Sequence, residues 1–324
     1  MLKQKKKIKK KPKTPQPVHY QAPADRQAAG KPKTKPVLII GIIAGIAAGL
    51  ILLGLLWNFA WKKEDRAQPR SSELKTDTRN EPEGTISASG SDSGFTESQY
   101  GIEMAHVRGG TLLMGCMSEH KDDCYDYEEP EHTETLGDFY IGKYEVTQAQ
   151  WKAVMGNNPS GFKGDDLPVE NVSWNDAQEF IKKLNAATGK AYRLPTAAEW
   201  EYAARGGGQS RKYNYSGGNS VEDVAWYEGN SGSKTHPVGT KSANELGIHD
   251  MSGNVWEWMS DIYGNIDGAP NANSADRDKD MPRIIRGGGW GSYARGVRVS
   301  NYFNNGPGNR YNILGFRLAC DFIP

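Results

Sequence analysis

Residues 37–59, VLIIGIIAGIAAGLILLGLLWNF, carry no charged side chain, and this run constrains the chain more than any other stretch. The hydrocarbon core of a bilayer is about 30 Å thick, and about 20 apolar residues cross it as a helix. Trp57 and Trp61 stand at the far end of the run, where interfacial aromatics collect. A cleavable signal peptide would have a short basic leader, a shorter apolar core and a small-residue cleavage site. Here residues 1–36 precede the run and the core is too long, so residues 37–60 are read as an uncleaved, single-pass anchor in the cell membrane. The leader is dominated by Lys and Pro and holds almost nothing to bury, which predicts a disordered tail over 1–36. Its basic excess keeps it in the cytoplasm, so everything after the span is extracytoplasmic, in a periplasm or at a cell surface. The lysines are read as a topology signal and an anionic-lipid contact rather than a nucleic-acid site. A net charge of +1 for the whole chain agrees with that. Gly41, Gly45 and Gly49 recur on one helical face and make a homodimer contact through the span an option.

Residues 61–101 are rich in Ser, Thr, Asp, Glu and Gly and read as a flexible stalk. A folded domain is expected over 102–324. Residues 104–114 and 139–146 look like strands flanking an acidic loop at 118–134. That loop is read as solvated, with a metal site as the alternative. Cys116 and Cys124 flank part of it and have the option of pairing in an oxidising compartment. Three helices follow with legible ends. Thr147 caps the first and Gly156 stops it. Ser173 caps the second, with Asp176 at its third position and Gly189 after its end. Thr196 with Glu199 forms a capping box for the third, which Gly206 ends. Trp174, Ala177, Phe180, Ile181 and Leu184 make one apolar stripe, and Trp151, Trp174 and Trp200 are assigned to the core. Glu201 and Arg205 are spaced to pair.

After Gly206 the periodicity fades, and Gly, Asn, Ser and aromatic residues dominate. Residues 286–320 concentrate this composition. Glycines permit tight turns there, and Tyr, Arg and Asn are the side chains of a recognition surface. Tyr293, Arg295, Tyr302, Asn304, Asn305, Asn309 and Tyr311 are therefore the candidate ligand-binding face, for a protein or glycan. A solvated, turn-rich rim around a core strand is the plainer reading of the same residues. Trp290 and Phe316 are expected to be buried clamps.

Six segments in order carry a family resemblance. They are FYIGKYEVT at 139–147, LPVENVSW at 167–174, RLPTAAEWEYAAR at 193–205, GNVWEW at 253–258, RGGGW at 286–290 and LGFR at 314–317. Together they resemble the formylglycine-generating enzyme, or sulfatase-modifying factor, family over about 102–322. The resemblance implies an irregular, loop-rich α/β (α+β) unit related to C-type lectin-like domains. Family enzymes oxidise a cysteine of a client sulfatase with oxygen and copper held by two cysteines. Those positions fall near Ser292 and Val297 here, and neither is cysteine. Copper(I) needs soft thiolates, so no copper is expected. The resemblance also implies a structural calcium at Asp250, Gly253, Val255 and Glu257, with oxygen donors that suit that ion. The family's second calcium site lacks its ligands, since Val224 and the 231–234 segment SGSK occupy it.

Two functions follow. One is a non-catalytic binding domain. The same scaffold serves the variable proteins of diversity-generating retroelements, and residues 299–312 resemble their diversified segment. The other is a formylglycine-generating-type oxidase acting on a protein cysteine. The lost cysteines favour the binder.

Overall fold

Among the described residues, three hydroxyl caps begin the three helices of eight residues or more, as their sequence signatures predict. Thr147 accepts from the Gln150 amide and opens α1 (Gln148–Met155), which ends at Gly156 in the left-handed conformation. Ser173 accepts from the Asp176 amide and opens α2 (Trp174–Thr188), which ends at Gly189 with φ of 70°. Thr196 and Glu199 close their reciprocal box at the head of α3 (Ala197–Ala204). Each box satisfies amides that the first turn leaves without a helical partner. A short α4 (Val221–Val224) follows. These elements belong to a computed structural model that describes residues 94–117, 124–264 and 280–322. The leader, the apolar run with Gly41, Gly45 and Gly49, and most of the stalk lie outside the described residues. Among the described residues no helix is long and apolar enough to cross a membrane.

Among the described residues the strands form three sheets. β1 (Phe95–Glu97), β2 (Ile102–Val107), β5 (Phe139–Gly142), β11 (Ala319–Asp321) and β6 (Tyr192–Arg193) make a five-stranded sheet in that spatial order. β10 (Leu314–Gly315), β7 (Trp256–Ile262), β8 (Arg283–Arg286) and β9 (Tyr302–Asn305) make a four-stranded one, and β3 (Gly110–Met114) pairs with β4 (His132–Leu136). Two expectations are corrected. The segment 104–114 is two strands in different sheets, and the acidic stretch runs into β4, whose Thr133 faces Leu113 across the ladder. β1 lies in the segment read as stalk and pairs with β2, so the folded unit begins before residue 102. Cys116 and Cys124 are joined in a disulfide.

Period-2 alternation divides the apolar residues between two cores. Ile102 and Met104 of β2 face one core, and Ala105 and Val107 face the other. The first core centres on Trp151, stacked on Phe180 at 5.3 Å, with Phe316 edge-on to both rings. The α2 stripe fills its floor: Ala177, Phe180, Ile181 and Leu184 are buried, while Trp174 is half-buried under the Arg283 guanidinium at 4.2 Å. The second core centres on Trp200, which is fully buried.

Candidate functional site

Between the two sheets the chain buries charge. Glu257, in β7, faces Arg286 of β8 on one side and Gly315 of β10 on the other. Its carboxylate takes Arg317 side-on, with Nε to Oε2 at 2.7 Å and Nη2 to Oε1 at 2.8 Å, and Trp200 Nε1 also donates to Oε2 at 2.7 Å. Neither Glu257 nor Arg317 reaches water. Glu145, just past β5, accepts from Asn254 Nδ2 at 2.7 Å and from the Val255 amide at 3.0 Å. Asp250 accepts from the Gly239 amide through Oδ2 at 2.6 Å, while its Oδ1 is buried with no partner among the described residues. Burial pushes Glu145 well above the ordinary carboxylate range, and the charges of Asp250 and Glu257 push it further. Burial raises Asp250 as well.

The backbone here is specified by sequence. Asp250 and Asn254 adopt left-handed φ values of 58° and 57°, a region these two residue types tolerate. Gly253 has φ of 90°, and a Cβ there would meet the Trp226 carbonyl oxygen at 2.3 Å. The four predicted calcium ligands thus fall on one tight turn and the start of β7. Glu145 and Arg317 complete the cluster and escaped prediction as site residues. A charged residue set among the apolar neighbours of the YEVT and LGFR segments is the signal that marks them.

The tail is anchored more firmly than its composition suggests. Gly288, with φ of 71°, packs so closely on Gly296 and Val297 that a Cβ would meet the Gly296 carbonyl at 2.7 Å. A Cβ on Gly296 would in turn meet the Ser292 Cβ at 3.4 Å, so the turn closes on residue 292 as well. Ser292 Oγ accepts from the Gly289 amide at 3.0 Å and so closes its own turn. Val297 is fully buried with Val224 and Ala225. The chain's three cysteines are the disulfide pair and buried Cys320, far along the sequence from this turn. The donor set does not fit copper(I).

The candidate ligand residues divide. Tyr293 is 71% exposed, and Arg295 and Tyr311 are exposed as well. Arg295 stacks over the Tyr125 ring at 4.0 Å. Tyr302 is half-buried against the second core and donates from its hydroxyl to the Tyr127 carbonyl at 2.6 Å. Asn304 shares its strand face by alternation. Asn305 and Asn309 bond each other, with Asn309 Nδ2 donating to Oδ1 of Asn305. Phe316 is buried as expected. Trp290 is only half-buried: it rests edge-on against Phe162 at 5.7 Å and donates to the Asn312 carbonyl. His236 and His249 are spent on carbonyls of Ser231 and Lys241 and on ring stacking.

Residues 93–322 match the sulfatase-modifying factor enzyme 1-like domain. "Chaperone protein LppX" of Paenibacillus barcinonensis is 41% identical over 216 residues, covering 51% of this chain and 74% of its own length. The formylglycine-generating enzyme of Mus musculus is 32% identical over 199 residues, with 55% of this chain and 51% of the enzyme covered. Inactive C-alpha-formylglycine-generating enzyme 2 of Bos taurus is 33% identical over 189 residues, covering 54% of this chain and 57% of its own length. The chain therefore spans about half the length of the formylglycine-generating enzymes it matches. Among solved structures, Treponema denticola variable protein 1 superposes with a TM-score of 0.62 at 32% identity, covering 72% of this chain and 99% of that one. PvdO from Pseudomonas aeruginosa gives 0.60 at 28% identity, covering 71% and 98%. The ordered motifs, the mixed loop-rich fold and a match across most of the chain agree: it belongs to the sulfatase-modifying factor family.

Proposed function

We propose that this chain is a catalytically silent sulfatase-modifying factor domain, held outside the cell membrane by residues 37–60, that binds a protein or glycan ligand. One observation carries the reading: a turn-closing serine and a buried valine stand at 292 and 297, the positions where the family resemblance implies the copper cysteines of the oxidases. Similarity to an inactive formylglycine-generating enzyme and to a variable protein supports it. The exposed members of the tail, Tyr293, Arg295 and Tyr311, supply stiff aromatic area and a charged fork for the ligand. Diversification of 299–312 by a retroelement is the sharper form of the proposal. A neighbouring reverse transcriptase gene and a near-copy of this segment differing at adenines are its expected genomic signature.

Calcium is proposed as a structural ion at Asp250 and Glu257 and the carbonyls of Gly253 and Val255. The residues fit: Asp250 Oδ1 has no partner, and three buried carboxylates face one guanidinium. Glu257 Oε1 accepts one hydrogen bond, which leaves a lone pair for a cation. Bound calcium would neutralise the excess negative charge. Arg317 orients Glu257 by its side-on grip, and Gly239 fixes Asp250.

The test of silence is an oxidation assay. The full-length chain, loaded with copper(I) and given oxygen and a cysteine-containing sulfatase peptide, should bind no stoichiometric copper and form no aldehyde by mass spectrometry. Conversion of the peptide's cysteine to formylglycine would overturn the proposal.

A further inference from the structure

β9 is an outer strand of the four-stranded sheet, and its neighbours fix the direction of its backbone groups. The Trp256 amide donates to the Ile313 carbonyl at 2.8 Å, so Trp256 turns its backbone toward β10 and Glu257 turns toward β8. Glu257 faces Arg286, so Arg286 turns toward β7 and Ile285 toward β9. The Pro282 carbonyl agrees with this alternation, since it accepts from the amide of Tyr263, just past β7. Ile285 faces Phe303 and Arg283 faces Asn305, so these two pairs carry the hydrogen bonds between β8 and β9. Tyr302 and Asn304 therefore present their N–H and C=O groups to the outer edge. Tyr302 makes other contacts, and its hydroxyl is given to the Tyr127 carbonyl. Among the described residues, no hydrogen bond from outside the ladder reaches Asn304, at its backbone or at its side-chain amide.

An outer strand is a template for another strand, and proteins shield such edges with charge, proline, a bulge or short length. The β9 sequence YFNN has no charge and no proline, and its register against β8 runs without a bulge. With four residues it is the longest outer strand of the two larger sheets, since β1 has three and β6 and β10 have two each. Outward N–H and C=O groups on alternate residues match an extended peptide, whose main chain supplies the hydrogen bonds and whose alternate side chains supply selectivity. A glycan lacks the repeating N–H and C=O pairs of a strand. On the Tyr302 side of the sheet, Tyr127 stands edge-on to Tyr302 at 5.4 Å and is 39% exposed, which offers aromatic surface to every second side chain of an added strand. The absence of charge on β9 neither repels nor demands a charged partner segment.

We infer that β9 takes an extended, uncharged segment of a protein partner as a fifth strand of this sheet, hydrogen-bonded to the outer backbone of Asn304. This rests on the reading of the tail as a ligand surface and selects protein over glycan. The probe is a library of random linear peptides panned on the full-length chain in detergent, with Asn304→Pro as counter-selection and a glycan array run in parallel. Proline at 304 removes an N–H that faces outward, a place where edge strands tolerate it. Peptides should be enriched on the wild-type chain and not on Asn304→Pro. In a selected peptide, N-methylation at every second residue should weaken binding at least about 10-fold, while the residues between should tolerate it, because only alternate N–H groups face β9. By hydrogen exchange, the Asn304 amide should exchange fast in the free chain and Phe303 and Asn305 slowly, and the peptide should slow Asn304 at least about 10-fold. If Asn304→Pro does not fold, the N-methyl series and the exchange, both read on the wild-type chain, decide alone. No enriched peptide, N-methyl effects without a two-residue period, an Asn304 amide already protected in the free chain, or unchanged peptide binding in a folded Asn304→Pro would each overturn the inference. A dimer that Asn304→Pro dissolves would overturn it too, giving the edge to a second copy of the chain. A glycan bound on the array with no peptide enriched would remove the strand and leave the tail as a ligand surface, whereas nothing bound on either would remove both.

Discussion

Glu257 and Arg317 sit side by side with neither side chain touching water, and Asp250 and Glu145 crowd the same space. Ion pairs at this depth contribute little net stability when intact, because desolvation offsets the attraction. Breaking one is another matter, since the orphaned charge stays buried at a cost of about 3–5 kcal/mol. Glu257→Ala is therefore a poor probe of calcium, as it strands Arg317 whether or not an ion is bound. Asp250→Ala is the better one. Its carboxylate makes a single bond to the Gly239 amide and is not paired with the arginine. Any ligand that binds only the folded state raises stability with its concentration. Calcium should thus raise the melting temperature of the wild-type chain and a chelator should lower it, while Asp250→Ala should melt alike in both. Equal melting of the wild-type chain in calcium and in chelator would remove the site.

At the scale of elements, α2 shows how a helix start also holds the tail. Asp176 is the third residue of the capping box, bonding the Ser173 amide and hydroxyl, and it also grips Arg310 side-on at 2.6 and 2.8 Å. Burial alone would raise this carboxyl, but the Arg310 fork and the Ser173 cap outweigh it and hold Asp176 below its ordinary range. A depressed acid stabilises the fold above the unfolded value of about 4 and loses that contribution as pH falls through the folded value. Asp176→Ala should cost about 1–2 kcal/mol at neutral pH, the usual worth of a cap plus a partly exposed pair. Its stability should change less than that of the wild type between pH 5 and pH 2 in chemical denaturation. An identical acid profile would assign the Arg310 contact no role. The cap itself was legible in the sequence, because Ser, Asp and Gly stand at fixed offsets around an apolar stripe. Arg310, 134 residues away, was not, since nothing local records which loop returns to a helix end.

For the whole molecule the same division holds. The helices and the family motifs could be read directly, and so could the buried Trp151 and Trp200. The stretch after Gly206 has no period to read, because its order comes from buried pairs that join remote segments, such as Arg298 with Glu128 and Arg317 with Glu257. The half-buried Trp290 is a related miss: its motif neighbours are core, but its own ring caps Phe162 at the surface. The largest-scale expectation, an anchored protein, concerns residues 37–60 and is decided by compartment rather than by fold. An uncharged run of that length is stable as a helix only where its backbone is satisfied internally and its side chains face lipid. The Lys-rich leader resists translocation, so the leader should stay inside and the domain should cross. A disulfide between Cys116 and Cys124 is at home in the oxidising compartment that this orientation gives it. Protease added to intact spheroplasts carrying the full-length chain, with tags at both ends, should remove the C-terminal tag and spare the N-terminal one. Replacing the leader's lysines by glutamate should weaken that preference and expose the N-terminal tag in part of the population. A mature protein that begins after residue 60, or a full-length chain that stays soluble after membranes are pelleted, would exclude the anchor and leave the domain to act without one.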